Sequence, residues 1–165
     1  GPILKGRQRT EDPFAVDYFS TTAFRHGETG TAVKYAVRQC PGSELSVAVE
    51  QHEDFLADAM AAHLEAQAVC LEMRVQLQTD PAQMPVENAS VIWDESQSPF
   101  QTVGRILIED QEFRRQDSVC ESMTFSPWQA LAAHRPLGGI NRVRRAVYSE
   151  AAEFRLEENR RRGLL

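Results

Sequence analysis

Residues 71–78 read Leu-Glu-Met-Arg-Val-Gln-Leu-Gln, an unbroken alternation of apolar and polar side chains. Successive side chains of a strand point to opposite faces, so this run predicts a half-buried strand with Leu71, Met73, Val75 and Leu77 facing a core. A strand of this kind needs neighbours, and the chain offers three more. Val16–His26 and Thr31–Gln39 are aromatic and β-branched runs separated by Gly27-Glu28-Thr29-Gly30, the pattern of a hairpin with a glycine-containing loop. In the second run Val33, Tyr35 and Val37 share one face and Lys34, Ala36 and Arg38 the other, and Pro41-Gly42-Ser43 ends it. Thr102–Ile108 is the fourth strand.

Helical spacing appears twice. Over Glu53–Ala68, Phe55, Leu56, Ala59, Met60 and Leu64 form an apolar stripe from which Asp54, Asp58 and Glu65 are absent. A connector with Pro81, Pro85 and Pro99 follows residue 78, and Trp93 is expected to pin it. Pro127 divides Ser118–Ala133 into two short helical pieces. After the loop His134-Arg135-Pro136-Leu137-Gly138-Gly139, Asn141 can cap the longest helix, from Ile140 to about Arg161. The expected fold class is α+β: an antiparallel half-barrel of about four strands, an inserted helix and a helical C-terminal tail. The expected organisation is an arm at 1–12, the half-barrel at 13–110 with its helix at about 53–68, and a helical segment at 111–165. Such a sheet has two edges. Either the chain's own helices cover it, or it is half of a larger closed barrel.

With 165 residues the chain is long enough for a real core, and its net charge of -6 argues against nucleic-acid binding, which needs a positive footprint. The basic residues gather between Arg135 and Arg162, which points to a local anionic partner such as a cofactor carboxylate or another subunit. No apolar run approaches the ~20 residues of a membrane span, and no signal-like apolar region opens the chain. Cys40, Cys70 and Cys120 are odd in number and widely spaced, so free thiols and a cytoplasmic location are expected. No CxxC or HxxxH pair suggests structural zinc.

The last helix carries the most specific chemistry. Arg144 and Tyr148 are four residues apart and Arg155 is seven beyond, so all three project from one face. Beside them Ile140, Val143, Val147, Ala151 and Phe154 form an apolar stripe expected to pack on the core. A phenol ligates metal as phenolate, and a permanently charged guanidinium one turn away favours that form. Arg155 has the reach to pair with a carboxylate at the edge of a bound macrocycle.

Cys120-Glu121-Ser122-Met123-Thr124-Phe125-Ser126-Pro127-Trp128, then His134-Arg135-Pro136-Leu137-Gly138-Gly139-Ile140-Asn141-Arg142, then Arg144 to Tyr148, resemble the C-terminal signature of the small, catalase-related haem proteins. These include catalase-related peroxidases and allene oxide synthases. Tyr18–Val37 resembles the fifth and sixth barrel strands of that family. Pro85–Ile108, with Trp93 and Val103-Gly104-Arg105, resembles the wrap into the eighth, so the likeness runs from about Asp12 to Asn159. The resemblance implies haem b as cofactor, with Tyr148 as the iron ligand, as in catalase. It further implies Arg144 as the phenolate's partner, Arg155 on a haem propionate, and Phe125 near the proximal face of the ring. The family's distal histidine and asparagine belong to an N-terminal half that has no counterpart here, so no catalytic residue is assigned in this chain. His26, His52, His63 and His134 are expected to be exposed or structural, and Gln129 stands where the family usually has histidine. The implied function is the proximal half of a haem oxidoreductase acting on hydrogen peroxide or an organic hydroperoxide. It requires a missing N-terminal half or a partner chain. The alternatives are a self-associating, non-catalytic half-barrel that serves as an assembly or binding module, and a subunit of a biosynthetic haem enzyme.

Overall fold

A computed structural model of the chain describes residues 10–45, 47, 49–112 and 122–165. Most of the expected N-terminal arm, Cys120, and the start of the helical piece expected from Ser118 lie outside the described residues. The strands are β1 (Tyr18–Phe19), β2 (Phe24–His26), β3 (Thr31–Gln39), β4 (Val69–Leu77) and β5 (Gln101–Ile108). The helices are α1 (Phe55–Ala66) and α2 (Gly139–Arg161), with single 3-10 turns at Pro13–Ala15 and Ala132–His134. One unclosed antiparallel sheet runs in the order β1-β3-β4-β5, with β2 also paired to β3. The α+β class, the open sheet, the inserted helix and the C-terminal helix are as the sequence predicts. The first expected run is not continuous, however. It breaks into β1 and β2 around Ser20–Ala23, where Thr21 takes a φ of 62°.

The strict alternation of β4 does not become alternate burial. Its polar members Glu72 and Gln76 are 7% and 2% exposed, while Leu71, Met73 and Leu77 are only half-buried. Each buried polar group has a partner: Glu72 accepts from Arg38 at 3.2 Å, and the Gln76 amide donates to the carbonyls of Trp93 and Ser98 at 3.1 and 2.9 Å. Val69 and Val75, at 1% and 3% exposed, are the buried members of the apolar face, so both faces of β4 are partly covered. At the sheet's end β5 is exposed along seven of its eight residues, with Val103, Ile106 and Leu107 open to solvent.

Contacts divide the chain into two compact units. One comprises residues 1–18, 37–73 and 103–115. Its core joins Phe14, Leu64 and Val69, with Met60, Leu71 and Ile108 against them. His63, on α1, is fully buried there, and its Nδ1 lies 2.8 Å from the Asp12 carboxylate. The other Asp12 oxygen accepts from the Phe14 backbone N–H at 2.8 Å, and the Phe14 ring meets the imidazole edge-on at 5.1 Å. This places His63 in a structural role. His52 lies exposed just before the helix and pairs at 2.7 Å with Asp58 on it.

Cys40 and Cys70 form a disulfide in this unit, which corrects the expectation of free thiols. Cys40 N–H bonds to the Cys70 carbonyl at 2.9 Å where β3 ends and β4 begins. This cross-strand neighbourhood brings the Cα atoms to 5.3 Å, although 30 residues of sequence separate them. An odd cysteine count conceals such a pair, because spacing along the chain carries no information about strand register. The cytoplasmic expectation drew on free thiols and is not carried further. Among the described residues no helix is long and apolar enough to cross a membrane.

The other unit comprises residues 19–36, 74–102 and 116–165. Its core gathers Ala23, Ala32, Met84 and Trp93, with Val86 and Leu137 packed on it. Trp93, 2% exposed, pins the proline-rich connector as expected. β2 pairs with β3 in the register Phe24↔Val33, Arg25↔Ala32 and His26↔Thr31. Its other side is taken by the loop before α2: Arg25 N–H donates to the Arg135 carbonyl and Leu137 N–H to the Ala23 carbonyl, both at 2.9 Å.

Closing a loop of this length by a disulfide removes about 3–4 kcal/mol of chain entropy from the unfolded state. Cys40→Ser is therefore expected to lower unfolding free energy by that amount in a urea titration, and a non-reducing peptide map of the unsubstituted protein should show the 40–70 cross-link. Asp12→Ala leaves the buried His63 Nδ1 without its carboxylate. It should cost about 2–3 kcal/mol by the same titration.

Candidate functional site

The start of α2 sets the geometry of the site. Gly138 precedes the helix with φ 85°, and a Cβ there would stand 2.7 Å from the Val86 carbonyl oxygen, so only glycine fits. The orphan N–H of Gly139 donates to Glu87 at 2.8 Å, and Arg142 clasps the same carboxylate through two nitrogens at 3.1 and 2.9 Å. Glu87 therefore does the work that the sequence suggested for Asn141. A carboxylate at a helix N-terminus is also favoured by the helix dipole. The bidentate bond to Arg142 and the Gly139 N–H hold the Glu87 carboxyl below its usual range.

Asn141 is instead fully buried, and its side chain uses all four of its hydrogen-bonding positions. Nδ2 donates to the carbonyls of Ala23 at 3.0 Å and Leu137 at 2.8 Å. Oδ1 accepts from Thr22 Oγ1 at 3.1 Å and from Arg144 at 3.2 Å. The two carbonyl partners require the donor end of the amide, so the oxygen must face Arg144. The Asn141 carbonyl also accepts from the indole N–H of Trp128 at 2.7 Å, and Arg145 lies over the Trp128 ring at 5.1 Å.

Thr22 reaches this network because of a tight turn. Its N–H donates to the Ser20 carbonyl at 2.6 Å, closing a three-residue turn around Thr21. The positive φ of Thr21 is costly for a β-branched residue. Ser20 Oγ donates to the Thr22 carbonyl at 2.8 Å and accepts from Tyr35 N–H at 3.0 Å, which holds the turn against β3. Thr22 Oγ1 also accepts from Arg144 at 3.2 Å.

Arg144 is thus held by Thr22 and Asn141 through one nitrogen, and its other terminal nitrogen donates to Tyr148 Oη at 3.0 Å. The guanidinium carbon stands 5.1 Å from the Tyr148 ring centroid. Tyr148 lines a cleft of about 290 Å³ with Thr124, Phe125, Val147, Ala151, Ala152 and Arg155. The four residues singled out from the sequence therefore occur together: Tyr148, Phe125 and Arg155 on the cleft, and Arg144 bonded to Tyr148. Arg155 donates to the Met123 backbone carbonyl. Phe125 is 69% exposed.

The apolar stripe beside this face is not packed on a core, contrary to expectation. Ile140, Val143, Val147 and Phe154 are 49–73% exposed, and the buried residues of α2 are Asn141 and Asn159. The helix is anchored by amide and carboxylate contacts near its start, and its aliphatic face stays open. Sequence reasoning missed Thr22 and the Asn141 side chain as supports of Arg144. The interruption of an otherwise β-rich run at Ser20-Thr21-Thr22 was the available signal. Among the described residues no group of three His, Cys, Asp or Glu side chains could hold a metal ion.

No protein-family profile and no curated protein sequence matches the chain. Solved structures do match. A fungal catalase aligns with a TM-score of 0.72 at 13% identity over 88% of this chain and 32% of its own. Catalase A from Saccharomyces cerevisiae aligns with a TM-score of 0.71 at 12% identity over 88% of this chain and 33% of its own. The fold is catalase-like, and the chain spans about a third of the length of these structures.

Replacing Asn141 with Leu removes four side-chain hydrogen bonds from a buried site and takes the side-chain donor from the Leu137 carbonyl, at an expected cost of about 2–4 kcal/mol in chemical denaturation. Thr21→Gly relieves the positive φ and should leave stability unchanged or raise it by up to ~1 kcal/mol in the same assay.

Proposed function

We propose that this chain supplies the proximal side of a haem site in a catalase-like oxidoreductase acting on hydrogen peroxide or an organic hydroperoxide. One observation carries the reading: Tyr148 lies on an apolar cleft with its oxygen bonded to a guanidinium that is itself held by two buried partners. The donor set fits haem. Tyr148 provides an oxygen ligand that accepts a hydrogen bond from Arg144, Phe125, Val147 and Ala151 provide apolar wall for a flat macrocycle, and Arg155 provides a cation for a propionate. When bound, haem supplies the redox chemistry of peroxide turnover. The residues of this chain would bind it and orient it. The distal groups would come from a catalase-like N-terminal half, on the same polypeptide or on a partner chain. The 32–33% coverage of the matched catalases supports that reading.

A second reading rests on a separate observation. The exposed stripe of α2 and the open β5 are apolar surfaces of the kind that mark protein contacts. On that reading the chain is a non-catalytic half-barrel that assembles with itself or another protein.

Haemin titration separates the two. The first reading expects saturable uptake with a Soret band, weakened at least about tenfold in Tyr148→Phe and shifted in Arg144→Met. An identical spectrum and affinity in Tyr148→Phe would remove Tyr148 as ligand. A defined oligomer by light scattering with no haemin uptake would favour the assembly module.

A further inference from the structure

A second cavity of the same unit shares no lining residue with the Tyr148 cleft. It measures about 320 Å³, at the lower end of the range of about 300–1,000 Å³ typical of small-molecule sites. Phe19 and Phe100, with ring centroids 5.9 Å apart, and Tyr35, Ile92 and Trp93 give it an apolar lining.

Two polar groups in this lining have less than they need. Lys34 is half-buried. Its ammonium donates to the Val91 carbonyl at 3.3 Å and lies 4.9 Å from the Trp93 ring centroid. Among the described residues no carboxylate pairs with it, and the acid in the lining, Glu95, is exposed. Desolvation holds the Lys34 pKa below its ordinary value, as expected for a cation with a carbonyl and an indole face in place of an anion. The second group is the Trp93 indole N–H, buried with no acceptor in a residue 2% exposed. A buried donor without a partner is uncommon enough to require an explanation. Thr21, the residue with strained backbone, also lines the cavity, and such strain concentrates where ligands bind.

We propose that this cavity binds a small monocarboxylate with an aliphatic or aromatic body, its carboxylate paired with Lys34 and its body against Phe19, Tyr35, Ile92 and Phe100. An anion completes the half-buried ammonium. The apolar body removes exposed aromatic surface from water. The proposal is independent of haem and of Tyr148.

The test uses the 165-residue chain, with octanoate and its uncharged counterpart 1-octanol as probes. Binding is followed by calorimetry and by tryptophan fluorescence, to which Trp93 contributes. Octanoate should bind at least about tenfold more tightly than octanol, the equivalent of one charge-assisted bond. Lys34→Gln should erase that difference while octanol binding persists, and Lys34→Arg should restore it. Equal affinities for the two probes, or no binding of octanoate, would overturn the proposal even if Lys34→Gln failed to fold. Retention of the full preference in a folded Lys34→Gln protein, checked by circular dichroism, would overturn it as well.

Discussion

The Asn141 amide holds together the support of the Arg144–Tyr148 pair. One buried side chain joins the segment before β2, through Ala23 and Thr22, to the loop before α2, through Leu137, and to Arg144 on the helix. Because every one of its hydrogen-bonding positions is in use, neither the amide nor its neighbours can rotate without losing a bond inside a desolvated site. The orientation of Arg144, and through it the environment of the Tyr148 oxygen, follows from that saturation. A lone Arg-Tyr pair on an exposed helix would sample many rotamers. Here the guanidinium is fixed from behind, and its free edge meets the phenol.

The turn at Thr21 shows what this arrangement costs. A β-branched residue at φ 62° is disfavoured, yet Ser20 and Thr22 close around it with bonds to each other's backbone. The strain interrupts what would otherwise be one continuous strand. The interruption lets Thr22 face Asn141 and Arg144 while Thr21 borders the cavity beside Lys34. A single local distortion therefore touches both the Arg144 network and the cavity beside Lys34.

Burial departs from the sequence pattern on several elements. On β4 Glu72 and Gln76 are as covered as Val69 and Val75 while Leu71, Met73 and Leu77 are half open, β5 is exposed, and the aliphatic stripe of α2 faces solvent. Apolar surface left open at this scale is unfavourable in water and is the signature of a surface made to be covered. The chain spans about a third of the length of the catalases whose fold it shares.

The sequence alone determined the elements, because period-two and helical spacing are local properties: β3, β4, β5, α1 and α2 all lie within a few residues of where patterning puts them. The Arg144–Tyr148 spacing was legible for the same reason, since a four-residue step fixes the face of a helix. Other features depended on contacts distant in sequence. The Cys40–Cys70 bridge required strand register, and the exchange of Asn141 for Glu87 at the helix start required a loop more than 50 residues upstream. The exposure of the α2 stripe depended on what packs against it. Only the tertiary structure could decide these, because hydrophobic patterning says which side chains prefer burial but not whether this chain has anything to bury them against.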